Sequence, residues 1–221
     1  MFIHKHPYPP FLFDGVKKLI VGTLPPPRFT TRELRDGDVD FCYGSRDGKL
    51  WPILNEIFDL NLKFKTTNQA IVERKEFLTC NKIGICDIVD SAQREKVDAS
   101  DIGMQNVKLR NLLKYLESYP SVETILFTGG NSKNGPEYFF RKQLKEKHIA
   151  FKVVNNQVPR IHEFRHPKTE KIIQTVSLTA PSGAANRAIG SLQLYKDLKK
   201  QHPKFNTFDF RVLQYREHFL R

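Results

Sequence analysis

The chain has 221 residues, and its 36 Lys and Arg against 24 Asp and Glu give a net charge of +12. That length suits one domain with a sizeable core; 12 Gly and 13 Pro exclude collagen-like and low-complexity classes. No apolar run approaches the ~18 residues of a membrane-spanning helix, and no secretory leader is read. The charge favours a polyanionic partner, nucleic acid first. Cys42, Cys80 and Cys86 form no CxxC, which points to a reducing cytoplasm and no disulfide.

The run KLIVGT (18–23), closed by Gly22 and the triproline 25–27, predicts a buried strand that ends in a rigid loop. Residues 28–48 are polar, rich in turn formers and too long for an ordinary connector, so they read as a functional loop. Trp51, Leu54, Ile57 and Phe58 mark a helix over 51–60, and a second helix is expected over 67–80. IGICDIV (83–89) reads as another strand. Leu109, Leu112, Leu113 and Leu116 mark a helix over 107–119, TILFT (124–128) a third strand before Gly129 and Gly130, and 137–147 a basic helix. Residues 151–158 and 163–178 look like strands about the His166-Pro167-Lys168 turn, followed by a helix over 186–201 and an aromatic helical tail from about 203.

Strands alternating with helices imply an α/β protein with a parallel sheet. Such sheets bind ligands at the carboxyl ends of their strands, which here are GTLPPP, ICDIVDS, FTGGN and TAPSGAANR. No repeat or linker divides the chain, so one domain over 1–221 is expected.

Five segments occur in order: LIVGTLPPP (19–27), FCYGSRDGKLWPIL (41–54), GICDIVDSAQRE (84–95), ILFTGGN (125–131) and TAPSGAANR (179–187). Together they resemble the signature of the uracil-DNA glycosylase superfamily, most nearly its mismatch-specific and hypoxanthine-type branches, over about 18–200. The resemblance implies a three-layer α/β/α sandwich with a central, mainly parallel four-stranded sheet. It also implies a monofunctional DNA glycosylase that hydrolyses the N-glycosidic bond of a deaminated base, of the uracil or hypoxanthine type, in DNA without a metal or cofactor; a monomer with no membrane partner is expected.

On that resemblance Gly22, Thr23, Leu24 and Pro25, with Thr128 and Gly129, would border a flipped base, and Tyr43, eight positions before Trp51, would lie against its face. The plainer alternative is that Tyr43 and Phe41 only fill core. Pro181, Ser182 and Gly183 match the loop that family members push into the duplex, with Ala184 to Arg187, including Asn186, as the wedge; an ordinary Ser/Gly helix entry is the alternative. Arg28, Arg46, Lys49 and Arg187 are the expected phosphate contacts.

Hydrolysis of an N-glycosidic bond needs a group that positions water, negative charge near the oxocarbenium ion and stabilisation of the departing base. Several family members place Asp, Asn or Glu in the first motif, where this chain has Thr23 and Leu24. Gly48 stands where the hypoxanthine-type branch has Asn, Ala180 where many members have His or Asn, and Thr128 where many have Asn. Asp47 and Asp87 are therefore the candidate catalytic carboxylates, although loop carboxylates also cap turns. A noncatalytic DNA-binding module that keeps the pocket is the rival reading, and an enzyme of free nucleosides or nucleotides a weaker third.

His162-Glu163-Phe164-Arg165-His166 spells HExxH, but Pro167 follows at once and its neighbours alternate like a strand, which argues against a zinc helix. Cys80 and Cys86 read as buried core.

Overall fold

A computed structural model describes residues 1–98 and 100–220. In it, neighbouring residues of one short strand, β2 (Lys18–Val21), serve two cores: Leu19 and Val21 enter one hydrophobic cluster and Ile20 the other. That alternation is what a strand covered on both faces requires. β2 sits inside a six-stranded sheet with β3 (Ile83–Ile85), β6 (Thr124–Phe127), β7 (Lys152–Asn155), β8 (Arg160–Arg165) and β9 (Ile172–Ser177), in the order β3-β2-β6-β9-β8-β7.

The first four strands of that order are parallel, and β8 and β7 add an antiparallel edge. The expected four-stranded sheet is thus a six-stranded mixed one. The turn at His166, closed by backbone bonds between His166 and both Glu170 and Lys171, folds β8 back on β9 as a hairpin, so the segments after residue 150 supply three strands.

Helices cover both faces. On one, α4 (Leu112–Ser118) and α5 (Pro136–Glu146) bring Leu112, Leu116, Phe139 and Phe140 against Leu19, Val21, Ile125 and Phe127. On the other, α2 (Leu50–Phe58), α3 (Asn68–Cys80) and α8 (Thr207–Leu220) pack Trp51, Leu54, Leu78, Tyr215 and Phe219 against Ile20, Leu126 and Val176. The aromatic residues of the expected tail are therefore part of a covering layer. This is a three-layer α/β/α arrangement.

Three expectations change. The strand read at 83–89 stops at Ile85: Cys86 and Ile88 still donate their N–H groups to Ile20 and Gly22, but the Gly22 N–H goes to the Asp87 side chain instead of a strand carbonyl. The chain then enters a second, antiparallel sheet of β1 (Phe2–Lys5), β4 (Val89–Arg94) and β5 (Gln105–Leu109). The helix read at 107–119 consequently begins only at Leu112, where the Asn111 side chain accepts from Lys114 N–H as a cap. The helix read at 186–201 is two, α6 (Asn186–Ser191) and α7 (Gln193–Gln201), broken at Leu192, whose backbone is extended. The loop at 28–48 opens with a single helical turn, α1 (Pro27–Thr30). Among the described residues no helix is long and apolar enough to cross a membrane.

Candidate active site

The loops that leave β2, β3, β6 and β9 at their carboxyl ends border one cavity of about 370 Å3. Thr23 to Pro26 come from the first loop, Asp87 from the second, Thr128 from the third and Ala180 to Gly183 from the fourth, while Tyr43 and Asp47 to Leu50 close a side. A second cavity, about 520 Å3, opens beside Lys17, Lys82 and Thr124 at the other ends of the strands. None of the expected site residues reaches it.

A hydrogen-bond network fixes the cavity wall. The Tyr43 hydroxyl donates to Asp87 Oδ1 at 2.8 Å and lies 3.0 Å from Thr128 Oγ1. Burial, then the Asp87 charge, push the Tyr43 hydroxyl well above the ordinary phenol range, so it stays protonated and can donate. Asp87 Oδ1 also accepts the Gly22 N–H at 2.7 Å, and its Oδ2 lies 2.9 Å from His6 Nε2. Asp87 is only 5% exposed, and these three contacts occupy both its oxygens. That geometry suits a residue that positions Tyr43 better than one that handles a proton.

Gly22 is needed by what surrounds it. A Cβ there would stand 2.2 Å from the Tyr43 hydroxyl oxygen and 2.9 Å from Thr128 Oγ1. Gly22 therefore makes room for the wall without bordering the cavity. Gly129 lies behind Thr128 against Pro136, likewise off the lining. Tyr43 itself adopts a left-handed backbone, φ 58°, a conformation uncommon outside glycine that persists where its surroundings fix it. Trp51 helps by donating Nε1–H to the carbonyl of the preceding Cys42 at 2.8 Å. Phe41 fills core, and Tyr43 packs against the same core while also lining the cavity.

Arg28 departs from the expectation of a free phosphate contact. Its Nε and Nη2 donate to the two oxygens of Asp38 at 2.7 and 2.8 Å, and Nη2 also reaches Ser45 Oγ at 2.8 Å and Asp47 at 3.3 Å. Asp38 is fully buried, and a buried carboxylate demands a partner. Burial pushes the Asp38 carboxyl up, but hydrogen bonds from Arg28 and from the Arg46 and Arg35 backbones prevail and hold it at about 2. Arg28 thus clamps the loop. Asp47, beside it, has a 69% exposed side chain.

The fourth loop is held from below. Arg211, 1% exposed, donates to the carbonyls of Ala180 and Ser182 at 2.9 and 2.6 Å and to Asn186 Oδ1 at 3.0 Å. Lys49 N–H donates to the Pro181 carbonyl at 2.8 Å, tying this loop to the Tyr43 segment. Beyond Ser182 the chain is open: Gly183, Ala184, Asn186 and Arg187 are exposed. Asn186 turns its side-chain oxygen inward to Arg211 and Thr207, while Arg46 and Arg187 stand at the surface.

Sequence reasoning missed Asp101, which borders the cavity. Its Oδ1 accepts the Thr23 hydroxyl at 2.7 Å. Burial pushes the Asp101 carboxyl above the usual carboxylate range, against the pull of Thr23 and Arg94. His6 and Arg211 were missed as well, because each acts on a residue far away in the chain.

The HExxH stretch is strand, not helix. His162 lies in β8 and its Nε2 accepts from Arg141 at 2.7 Å, while His166 Nε2 donates to the Leu113 carbonyl at 2.9 Å. Among the described residues no group of three or more His, Cys, Asp or Glu is placed to hold a metal ion. All three cysteines are free; Cys42 and Cys86 are buried, but Cys80, expected in the core, is exposed near the end of α3.

No family model matches the chain. It is 27% identical over 132 residues to a hypoxanthine DNA glycosylase of Methanosarcina barkeri, across 58% of this chain and 73% of that protein. Its fold resembles the solution NMR structure of a Methanosarcina acetivorans protein described as a candidate uracil DNA glycosylase, with a TM-score of 0.54, 16% identity, and coverage of 95% of this chain and 98% of the other. The chain thus shares the fold of that structure.

Proposed function

We propose that this protein is a monofunctional DNA glycosylase that hydrolyses the N-glycosidic bond of a deaminated base, of the uracil or hypoxanthine kind, in DNA. The observation that carries the reading is the cavity at the four strand ends, with a tyrosine locked into its wall by Asp87 and Thr128 and an exposed loop beginning at its edge. A base must leave the stack to be excised, and a pocket that receives it needs a flat wall and a loop to fill the gap. Tyr43 supplies the wall. Pro181 to Gly183, with Ala184 to Arg187, supply the loop, which Arg211 braces.

In this reading Asp87 is a positioning residue that acts through Tyr43, and Asp47 adds negative charge at the cavity mouth beside Arg28. Arg46, Lys49 and Arg187 meet phosphates, a role for which the net charge of +12 is suited. The named activities of the two relatives support the same reading.

One observation favours the rival. Thr23, Thr128 and Ala180 offer the cavity hydroxyls and a methyl where an amide or imidazole would serve a departing base, as a noncatalytic DNA-binding module would allow. Incubation with oligonucleotides containing uracil, hypoxanthine or xanthine decides: alkali-labile abasic sites support the glycosylase, and binding without them supports the module.

A further inference from the structure

We propose that Asp101 is the carboxylate that takes the proton from the attacking water, with Thr23 as the positioning residue that aims it. The proposal rests on the glycosylase reading above.

Three carboxylates border the cavity: Asp47, Asp87 and Asp101. Asp87 has both oxygens committed to Gly22, Tyr43 and His6, so accepting a proton would break the lock on the wall. Asp47 is largely in water and pairs with Arg28, so solvent and that cation screen its field at the reacting centre. Asp101 differs from each. One of its oxygens accepts the Thr23 hydroxyl, and among the described residues no side chain or backbone donor bonds the other.

Its position is also built. Asp101 opens a single 3-10 turn, Asp101–Gly103, and the buried Asn134 side chain donates to the backbone carbonyls of Asp101 and Met104 at 2.9 and 3.0 Å. Asn134 belongs to the segment between β6 and α5, so the turn is pinned to the sheet. The charged groups facing the carboxyl are Arg94, which stabilises its anion, and Asp87, which opposes it. Arg94 is in turn held by the Ser100 carbonyl and Asp98. Burial outweighs Arg94 and brings the carboxyl nearer to working pH than a free aspartate, the direction that favours a general base.

The step balances with water alone. The C1′–N bond breaks and its electron pair leaves on the base. The water oxygen forms the new C1′–O bond, its proton passes to Asp101, and that proton then returns to the base anion or to solvent. Thr23, donating to Asp101, keeps its hydroxyl oxygen as an acceptor for the same water.

The test is single-turnover base release against pH for wild type, Asp101→Asn and Thr23→Val, with affinity for DNA carrying a stable abasic-site analogue and thermal midpoint measured in parallel. Asp101→Asn is expected to slow release by about 10²-fold or more, to remove the acidic limb of the wild-type profile, and to leave affinity and midpoint nearly unchanged. Thr23→Val removes a hydrogen bond to the charged form, so the acidic limb moves to higher pH. Rapid release by Asp101→Asn, or an acidic limb that stays put in Thr23→Val, overturns the assignment while the glycosylase reading stands. No release by wild type from any base tested overturns both.

Discussion

The Tyr43 hydroxyl and the Asp87 carboxylate, 44 positions apart, meet at 2.8 Å inside the cavity wall. The same Asp87 oxygen holds the Gly22 N–H, so one atom joins the end of β2, the segment after β3 and the loop before α2. The aromatic ring is thereby fixed before any ligand arrives, which spares a bound base the cost of ordering it.

Two substitutions separate the ring from the hydroxyl. Tyr43→Ala should weaken binding to a damaged site, relative to undamaged duplex, by about 1–3 kcal/mol, the range for a lost base–aromatic stack. Tyr43→Phe keeps the ring but removes a donor from buried Asp87, so it should cost about 1–3 kcal/mol of stability and spare the discrimination. Equal losses on both DNAs for Tyr43→Ala, measured by fluorescence anisotropy, would assign Tyr43 to the fold alone.

Arg28 and Arg187 should part company. Arg28→Ala strands the buried Asp38 carboxylate, a loss of about 3–5 kcal/mol in chemical denaturation, with the salt dependence of DNA binding unchanged in variants that remain folded. Arg187 is exposed, so Arg187→Ala should leave stability within about 0.5 kcal/mol and lower the slope of log affinity against log salt by about 1. An unchanged slope for Arg187→Ala would remove it from the DNA interface.

How far this site could be read in advance depended on where each partner lies in the chain. Three of the strand ends were legible because apolar runs stop before Gly22, Gly129 and Pro181, whereas the run at 83–89 has no such stop and β3 ends earlier, at Ile85; the loops at all four ends converge. Tyr43 was reached through the family resemblance, which places an aromatic about eight positions before Trp51. Asp101 was not, since its role depends on Thr23, which is 78 positions away, and it lies in a charged stretch that reads locally as solvated loop. Arg211 was lost in the same way: it sits in a helix of mixed composition, and only the folded chain brings it beneath Ala180 and Ser182. The second sheet escaped because residues 105–109 pair with β4 against the Leu spacing that continues into α4. Tertiary pairing there overrides local periodicity.

Stability should fall in mild acid through His4. This side chain is fully buried, and its Nδ1 accepts from Arg94 Nε at 2.8 Å. Burial, then the Arg94 charge, lower it to about 4. In the unfolded chain an ordinary histidine takes up its proton near 6.5, so the unfolded state binds more protons between that pH and 4. The contribution is complete above about pH 6.5 and is lost as pH falls to 4, by up to about 3 kcal/mol. Urea melts at pH 7 and pH 4.5 should show the drop, and His4→Gln should flatten it; a His4→Gln profile as steep as wild type would exclude His4 as its source.

Asp47 and Asp87 give a matched pair. Asp87→Asn puts an amide among the donors of Gly22 and Tyr43, so its thermal midpoint should fall and its base release should fall with it. Asp47→Asn removes an exposed charge, and base release should slow by less than about tenfold, with the thermal midpoint unchanged. A loss of 10²-fold in Asp47→Asn would transfer the water-activating role to Asp47.

The most direct measurement is release of free base from duplex and single-stranded oligonucleotides carrying one uracil or one hypoxanthine, followed by chromatography of the base and alkaline cleavage of the strand. The account predicts that at least one of the two bases appears in solution, in step with alkali-labile sites at its position and with no cleavage before alkali. Intact strands and no free base from either substrate, under conditions where the protein binds the same DNA, would contradict it.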